Sequence, residues 1–514
     1  MTAAPRLRVL ADVRVVAVGM LLLQLVWIFA VPPFRGSDEF DHAYRAASVA
    51  HGQWVAPPEA ATRGTGAWLD VPEDLVAAAG PQCAELHYTT DADCVGTEEP
   101  GDMVRIASGA GRYHPLFYEL VGAPALPFDG ATSLYVMRFA GALLSWVFFV
   151  LALVATRCWA RTRWPYVAAV VGITPVVVYS TVLPAPNGVE MTAAMALWCA
   201  LIGLAVRRDA RWDARLLSIG ALAGATLVTL RSFGPLWCVL VLVTVLVAVR
   251  VDRSRLRQIV LSSRGWVAML VVLAATIASL GWIRVTGSLV VGKTEDPEPL
   301  SMTTKAATTL QEMVLWVLQS IAAFPLRNES THASVYGFFL VLGGALLVAA
   351  LRAGCGRGRV GLLLACVLSL LVPGVVTFTT LETYGTAWQG RYTLPYSVGV
   401  VLLAGLLLDR RASRGRADVL VAGGLLFVAA QVASPLLIVL REREFSPGVD
   451  NGAWVLVPPV LLGLLALLGA SLLWLGAVLL HDDRASDGED ERRTREEVSH
   501  DRSDRPGVVV GADR

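Results

Sequence analysis

Apolar runs close to the length of a bilayer-spanning helix recur along the whole chain, and they constrain the fold more than any other feature. Of the 514 residues, 55% are apolar and only 17% are charged. Twelve runs can be delimited, at 15–33, 133–156, 165–183, 188–206, 216–230, 233–249, 265–285, 334–351, 360–380, 393–408, 417–440 and 455–480. We therefore expect an all-α polytopic membrane protein with about 12 transmembrane helices.

The connections between the runs alternate between arginine-rich and arginine-poor. The rich ones lie at 157–163, 207–215, 250–257, 352–359 and 410–416. By the positive-inside rule, this alternation predicts a multi-pass plasma-membrane protein with both termini in the cytoplasm. The formal net charge is only +1, so no basic field indicates a nucleic-acid partner.

Two long polar segments interrupt the predicted transmembrane domain, which we place at 1–480. The first is a large extracytoplasmic loop at 34–132, and the second covers 286–333. Residues 481–514 are polar and mixed in charge, which predicts a disordered cytoplasmic tail. Cys83 and Cys94 both lie in the first loop, where a disulfide would close about twelve residues and contribute roughly 3 kcal/mol. The alternative is that both remain free thiols.

An acidic stretch, "SDEFDH" at 37–42, follows the first apolar run. Its simplest interpretation is an interfacial helix capped by acidic residues, which suit the positive end of a helix dipole. A carboxylate crowded by others near lipid also has a raised pKa, which suits Asp38 to act as a general base. A third alternative is that Asp38 and Glu39, with His42, hold a divalent cation such as Mg²⁺ or Mn²⁺.

Two further motifs lie at the predicted outer ends of the runs. "GRYHP" carries His114 where the first loop returns to the membrane, and "QGRY" carries Gln389, Arg391 and Tyr392 before a late run. Arg231 is a similarly isolated cation in an arginine-poor connection. A guanidinium in this position suits a lipid phosphate, although snorkelling towards lipid headgroups would explain it equally well.

In this order the motifs resemble an uncharacterised family of bacterial multi-spanning membrane proteins, a domain of unknown function grouped with the type C glycosyltransferase superfamily. The resemblance covers most of the chain, although Ser37 and Leu116 stand where the family pattern has prolines. It implies a type C glycosyltransferase-like fold with an active site on the outer membrane face. It also implies an acidic base in the first outer loop and sugar donors carried on polyprenyl phosphate.

The function expected from these observations is inverting sugar transfer from a polyprenyl-phosphate donor to a cell-envelope acceptor. Asp38 would be the base, with Glu39 tuning it or helping to hold a metal. The residues expected to bind substrate are His42, His114, Gln389, Arg391, Tyr392 and Arg231.

Two other function classes stay open. One is a transporter or flippase of lipid-linked glycans, and the other is a non-catalytic scaffold of the cell-envelope machinery, in which the acidic helix is only a surface; membrane lipids are expected partners in every case. Mid-span charges are scarce and the first outer loop is large, which favours the enzyme. The sequence predicts neither the sugar nor the oligomeric state.

Overall fold

A computed structural model describes residues 13–59, 61, 66–84, 89, 91–98, 102–207, 212–288, 299–325, 329–411, 417–445 and 454–479. Within these ranges the chain forms 19 α-helices and one small sheet. In chain order the elements are α1 (Val13–Ala30), α2 (Glu39–Ala50), β1 (Ala67–Pro72), α3 (Glu73–Ala84), α4 (Asp91–Cys94), β2 (Thr97–Glu98), β3 (Met103–Ser108), α5 (Pro115–Gly122), α6 (Gly130–Trp159), α7 (Trp164–Val171), α8 (Pro175–Val182), α9 (Asn187–Val206), α10 (Asp213–Leu230), α11 (Gly234–Ala248), α12 (Arg253–Leu261), α13 (Ser263–Thr286), α14 (Met302–Gln319), α15 (Ala333–Ala353), α16 (Gly356–Tyr384), α17 (Leu394–Arg410), α18 (Ala417–Phe445) and α19 (Pro459–Leu479).

The expected all-α polytopic architecture is confirmed, and every predicted apolar run falls on a helix or a pair of helices. In the described part of the chain, nine helices are long and apolar enough to cross a membrane, namely α1, α6, α9, α10, α13, α15, α16, α18 and α19. The run at 165–183 is broken into α7 and α8, which meet at a 68° bend before Pro175. The remaining two runs form shorter helices, α11 with 15 residues and α17 with 17. Among the residues that the structure describes, nine helices, or ten elements with the bent pair counted as one span, are therefore long enough by themselves to cross a membrane.

Helix α9 lies at the centre of the bundle and packs against α6, α10, α11 and α17. Small residues make this close packing feasible, because they let helix backbones approach one another. A second close contact joins α1 to α19, where a Cβ on Gly19 would lie 2.7 Å from the carbonyl oxygen of Gly469. The two ends of the chain's helical part are thereby joined.

The first loop folds over one end of the bundle, which we call the loop end. Its sheet has the order β1-β3-β2, with antiparallel pairing from Ala67 opposite Ser108 to Pro72 opposite Met103. A disulfide joins Cys83 of α3 to Cys94 of α4, with their Cα atoms 5.4 Å apart. Helix α2 packs against α5 and against this sheet, so the acidic stretch is held between the first loop and the bundle.

The second polar segment contributes α14, which packs against α16 and against the short 3-10 turn at Gly390–Tyr392. It therefore supports the "QGRY" motif from the side. The expected tail at 481–514 lies outside the described residues.

Candidate active site

Asp38 and Arg391 meet at the loop end of the bundle, although 353 residues separate them in the chain. Arg391 Nη2 donates to Asp38 Oδ2 at 2.6 Å. Asp38 precedes α2 with φ 54° and ψ 26°, a left-handed conformation that Asp adopts more readily than most residues. The preceding residue is also fixed, because the Ser37 backbone N–H donates to the Tyr179 hydroxyl at 2.7 Å.

The 3-10 turn that presents Arg391 depends on glycine at position 390. The Gly390 N–H donates to Gln319 Oε1 of α14 at 2.8 Å. A Cβ at Gly390 would lie 2.2 Å from the carbonyl oxygen of Trp316, which no side chain could tolerate without movement. The glycine of the motif therefore allows α14 to approach closely, and the arginine is positioned by that contact.

The guanidinium of Arg391 is buried, with only 3% of the residue exposed, yet its hydrogen bonding is incomplete. Its Nε and Nη1 atoms are shielded from solvent and have no hydrogen-bond partner among the described residues. Buried polar groups are normally paired, and leaving a charged donor unpaired is costly. Arg391 thus presents unused charged donors beside the Asp38 carboxylate.

A second guanidinium, that of Arg231, lies beside the same motif. Arg231 follows α10 and donates through Nη1 to Asn187 Oδ1 at 2.6 Å and through Nη2 to the Tyr113 hydroxyl at 3.1 Å. Its Cζ lies 4.3 Å from the ring centroid of Tyr392, and Arg391 Cζ lies 5.3 Å from the same centroid. Two cations therefore share one aromatic ring, an arrangement that can attract an anion.

His42 lies one helical turn after Asp38 and is buried against the aromatic residues of the first loop. Its Nδ1 atom hydrogen-bonds the Tyr118 hydroxyl at 2.7 Å, and the two rings stack with centroids 5.9 Å apart. Burial lowers the pKa of His42 to about 3; Asp38 opposes this shift, and Arg231 and Arg391 reinforce it. The imidazole is therefore neutral near pH 7 and can orient a hydroxyl group without carrying charge.

Asp41 is a third carboxyl of the site, which the sequence presented only as part of an acidic helix start. Its Oδ1 accepts from the Gly109 N–H at 2.6 Å, and its carbonyl oxygen accepts from Ser108 Oγ at 3.0 Å. Burial, followed by the negative charge of Asp38, raises the pKa of Asp41 to about 7. Asp41 connects α2 to the end of β3 and can hold a proton near neutral pH.

Glu39 faces away from Asp38 towards a different arginine. Its two oxygens accept from Nε and Nη2 of Arg138 at 2.7 and 2.8 Å, and one of them also accepts from the Gly36 N–H at 3.0 Å. Both side chains of the pair are 0% exposed. The other N–H groups of Arg138 donate at 2.8 Å to the carbonyl oxygens of Ile28, Val31 and Pro32. Glu39 is thus committed to holding the end of α1 and the start of α2 together.

Sequence reasoning missed Arg138, although the chain carries a signal for it. Arg138 is a lone arginine inside the apolar run at 133–156, and a buried intramembrane charge requires a partner. Pattern analysis could not have identified Glu39 as that partner, because the two residues are 99 positions apart.

Comparison with known families identifies the chain. Residues 21–400 match the model of a family described as "Predicted membrane protein (DUF2142)". The chain belongs to this family. No curated protein matches the sequence. Among solved structures, the chain is similar to ArnT from Cupriavidus metallidurans bound to undecaprenyl phosphate, with 15% identity over 90% of this chain and 76% of that chain and a TM-score of 0.47.

His114 of this DUF2142 protein has a local structural role. Its Nδ1 accepts from the Leu116 N–H at 3.3 Å and caps α5, and its ring lies 5.2 Å from that of Trp282. Burial and the charge of Arg45 lower its pKa. The described contacts join it to neither Asp38 nor Arg391, whereas the adjacent Tyr113 reaches Arg231.

The metal expectation at Asp38 and Glu39 receives no support from the geometry of this DUF2142 protein. Within the described ranges, no three His, Cys, Asp or Glu side chains are grouped closely enough to hold a metal ion. The reason is that the two adjacent carboxylates engage different arginines. Gln389, in contrast, is buried beside the arginine turn, and its Oε1 has no hydrogen-bond partner among the described residues.

Proposed function

We propose that this protein transfers a sugar from a polyprenyl-phosphate donor to a hydroxyl group of a cell-envelope acceptor at the outer face of the plasma membrane. The observation that carries the proposal is Arg391, a buried guanidinium with two unpaired nitrogens beside the Asp38 carboxylate. The oxygens of a phosphate match the geometry of a guanidinium fork.

The membrane position of the site also supports the proposal. Asp38, Arg231 and Arg391 lie in arginine-poor connections, which the positive-inside rule assigns to the outer face. Resemblance to the type C glycosyltransferase superfamily implies lipid-linked donors on that face. A lipid phosphate would reach the two arginines at the ends of α10 and α17, where the membrane interface is expected.

The proposed reaction is a single displacement. Asp38 removes the proton of the acceptor hydroxyl as its oxygen attacks the anomeric carbon from the face opposite the phosphate, which inverts the configuration. Arg391 and Arg231 stabilise the negative charge that develops on the departing polyprenyl phosphate. Neutral His42 orients the acceptor through its Nε2, because Nδ1 is engaged by Tyr118.

In this proposal Glu39 and Arg138 are positioning residues. Their buried pair fixes the backbone that enters α2, and Asp38 is the residue immediately before Glu39 on that backbone. Tyr392 keeps the two guanidinium groups beside each other through its ring.

The test is a transfer assay with purified protein in lipid nanodiscs, a panel of radiolabelled polyprenyl-phosphate sugars and an envelope extract as acceptor. We expect transfer from at least one donor, and its loss in Arg391→Gln. Glu329→Gln is the matched control, because Glu329 pairs with Arg441 in another ion pair. Absence of transfer, together with movement of the labelled lipid across vesicles, would support the flippase alternative instead.

A further inference from the structure

The ion pair with Asp38 engages only one of the three guanidinium nitrogens of Arg391, so the positive charge of Arg391 is only partly balanced in the resting site. Arg391 is 3% exposed, so its charge depends on neighbouring anions rather than on water. Nη2 is engaged with Asp38 Oδ2 at 2.6 Å, while Nε and Nη1 have no partner among the described residues. Any change in the charge of Asp38 therefore directly changes the electrostatic energy of Arg391.

We infer that Arg391 transfers its charge compensation from Asp38 to the departing polyprenyl phosphate during the reaction, so that protonation of Asp38 strengthens the binding of the phosphate product. The inference rests on the proposed function and specifies how the base and the phosphate site act together.

The charges balance in one step. The acceptor O–H bond breaks and its proton goes to an Asp38 carboxylate oxygen, while the acceptor oxygen forms a bond to the anomeric carbon. The bond from the anomeric carbon to the phosphate oxygen breaks, and the electron pair leaves with the phosphate. Asp38 loses its negative charge as the phosphate, which carries one negative charge in the donor, approaches two. Arg391 keeps an anionic partner throughout.

Release reverses the exchange. When the polyprenyl phosphate leaves, Arg391 is again buried without a full partner, which favours loss of the proton from Asp38 and restores the ion pair. The resting ion pair thus competes with the product and limits its affinity.

Asp38→Asn provides a direct test, because asparagine resembles the protonated aspartic acid in shape and charge. Asparagine also tolerates the left-handed backbone at φ 54°, and Asp38→Gly, which fits the same conformation, is the second variant if the first folds poorly. The probe is C55 polyprenyl phosphate in nanodiscs, and polyprenol with the same tail but no phosphate is the reference ligand.

We expect Asp38→Asn to bind polyprenyl phosphate at least tenfold more tightly than the wild-type protein while losing sugar transfer. The gain should vanish in Asp38→Asn/Arg391→Gln, and binding of polyprenol should be equal in all variants. Glu329→Gln, which removes a carboxylate from another ion pair at the loop end, should bind the phosphate as the wild type does.

Two outcomes would overturn the inference, and they differ in what they leave standing. If the wild type prefers polyprenyl phosphate to polyprenol but Asp38→Asn binds it equally or more weakly, the coupling is wrong and the phosphate site remains. If neither protein prefers the phosphate to polyprenol, the coupling and the proposed function both fail.

Discussion

Two adjacent carboxylates, Asp38 and Glu39, each pair with a distant arginine, and the two pairs differ in how completely they are satisfied. In the Glu39–Arg138 pair both side chains are 0% exposed and every N–H group of the guanidinium donates to an oxygen. In the Asp38–Arg391 pair the aspartate side chain is 21% exposed and two guanidinium nitrogens lack partners in the described part of the chain. The saturated ion pair holds the backbone, whereas the unsaturated one retains capacity for a ligand.

The largest expected effect concerns Asp38 as the base. Asp38→Asn should reduce sugar transfer by about 10²–10⁴-fold, the range associated with general base catalysis. Asparagine fits the left-handed backbone, but Arg391 then lies buried without its anionic partner, so the unfolding temperature should fall in the absence of polyprenyl phosphate. Transfer at the wild-type rate would show that Asp38 is not the base. Asp38 and Glu39 would then both have only a structural role.

The next effect tests the saturated pair. Arg138→Gln leaves Glu39 as a buried charge without its partner, and we expect a loss of about 3–5 kcal/mol in the free energy of unfolding. The measurement is unfolding by denaturant in detergent micelles. Arg105→Gln is the control, because Arg105 is half exposed and 3.7 Å from Glu59, so its removal should cost less than about 1 kcal/mol. Equal stability of the two variants would contradict the structural role of Arg138.

A smaller effect should follow from Tyr118→Phe, because Tyr118 holds His42, which lies one helical turn after Asp38. The substitution removes the 2.7 Å hydrogen bond to His42 Nδ1 and leaves a buried nitrogen unpaired, at a cost of about 1–3 kcal/mol. If His42 orients the acceptor, transfer should fall roughly tenfold through a raised acceptor KM, with donor binding unchanged. Tyr336→Phe, which loses a hydrogen bond to the Ala322 carbonyl, should affect stability alone. A matching loss of donor binding in Tyr118→Phe would contradict the acceptor role.

The smallest effect is a pH dependence of stability at Asp41, whose pKa is raised from 3.8 to about 7. A carboxyl with a raised folded-state pKa stabilises the fold while protonated, so its contribution is present below about pH 4 and is lost as the pH rises to about 7. Asp41→Asn should therefore raise the unfolding temperature by roughly 2–4 °C at pH 8 and change it little at pH 4.5. The exposed residue Asp129 serves as the control in Asp129→Asn, and an equal shift at both pH values in Asp41→Asn would contradict the assignment.

The sequence predicted the fold class and the motifs of the site. The length of the apolar runs and the alternation of arginine-rich and arginine-poor connections can be read from neighbouring residues in the chain. It also presented Asp38, Arg231 and Arg391 as candidates for one face of the membrane. It presented Asp38 rather than Glu39 as the base, but it could not predict that Glu39 pairs with Arg138, which is 99 positions away in the chain. His114, which the sequence presented as a substrate-binding residue, caps α5 in the structure, whereas Tyr113 beside it received no role and contacts Arg231.

The span count shows a similar limit. A run such as 165–183 has the composition of one helix, but its conformation depends on the Gly-Ile-Thr-Pro sequence at 172–175, where the chain bends. Thr174, the residue before Pro175, is extended, as residues before proline favour, and Pro175 begins the next helix. Hydropathy alone does not report this break.

A cryo-electron microscopy structure with C55 polyprenyl phosphate would test whether Arg391, the unsaturated arginine, is the phosphate site. We predict phosphate density within hydrogen-bond distance of Arg391 Nε and Nη1, with the Glu39–Arg138 pair unchanged. Phosphate density elsewhere on the protein, with the surroundings of Arg391 as they are in its absence, would contradict the account.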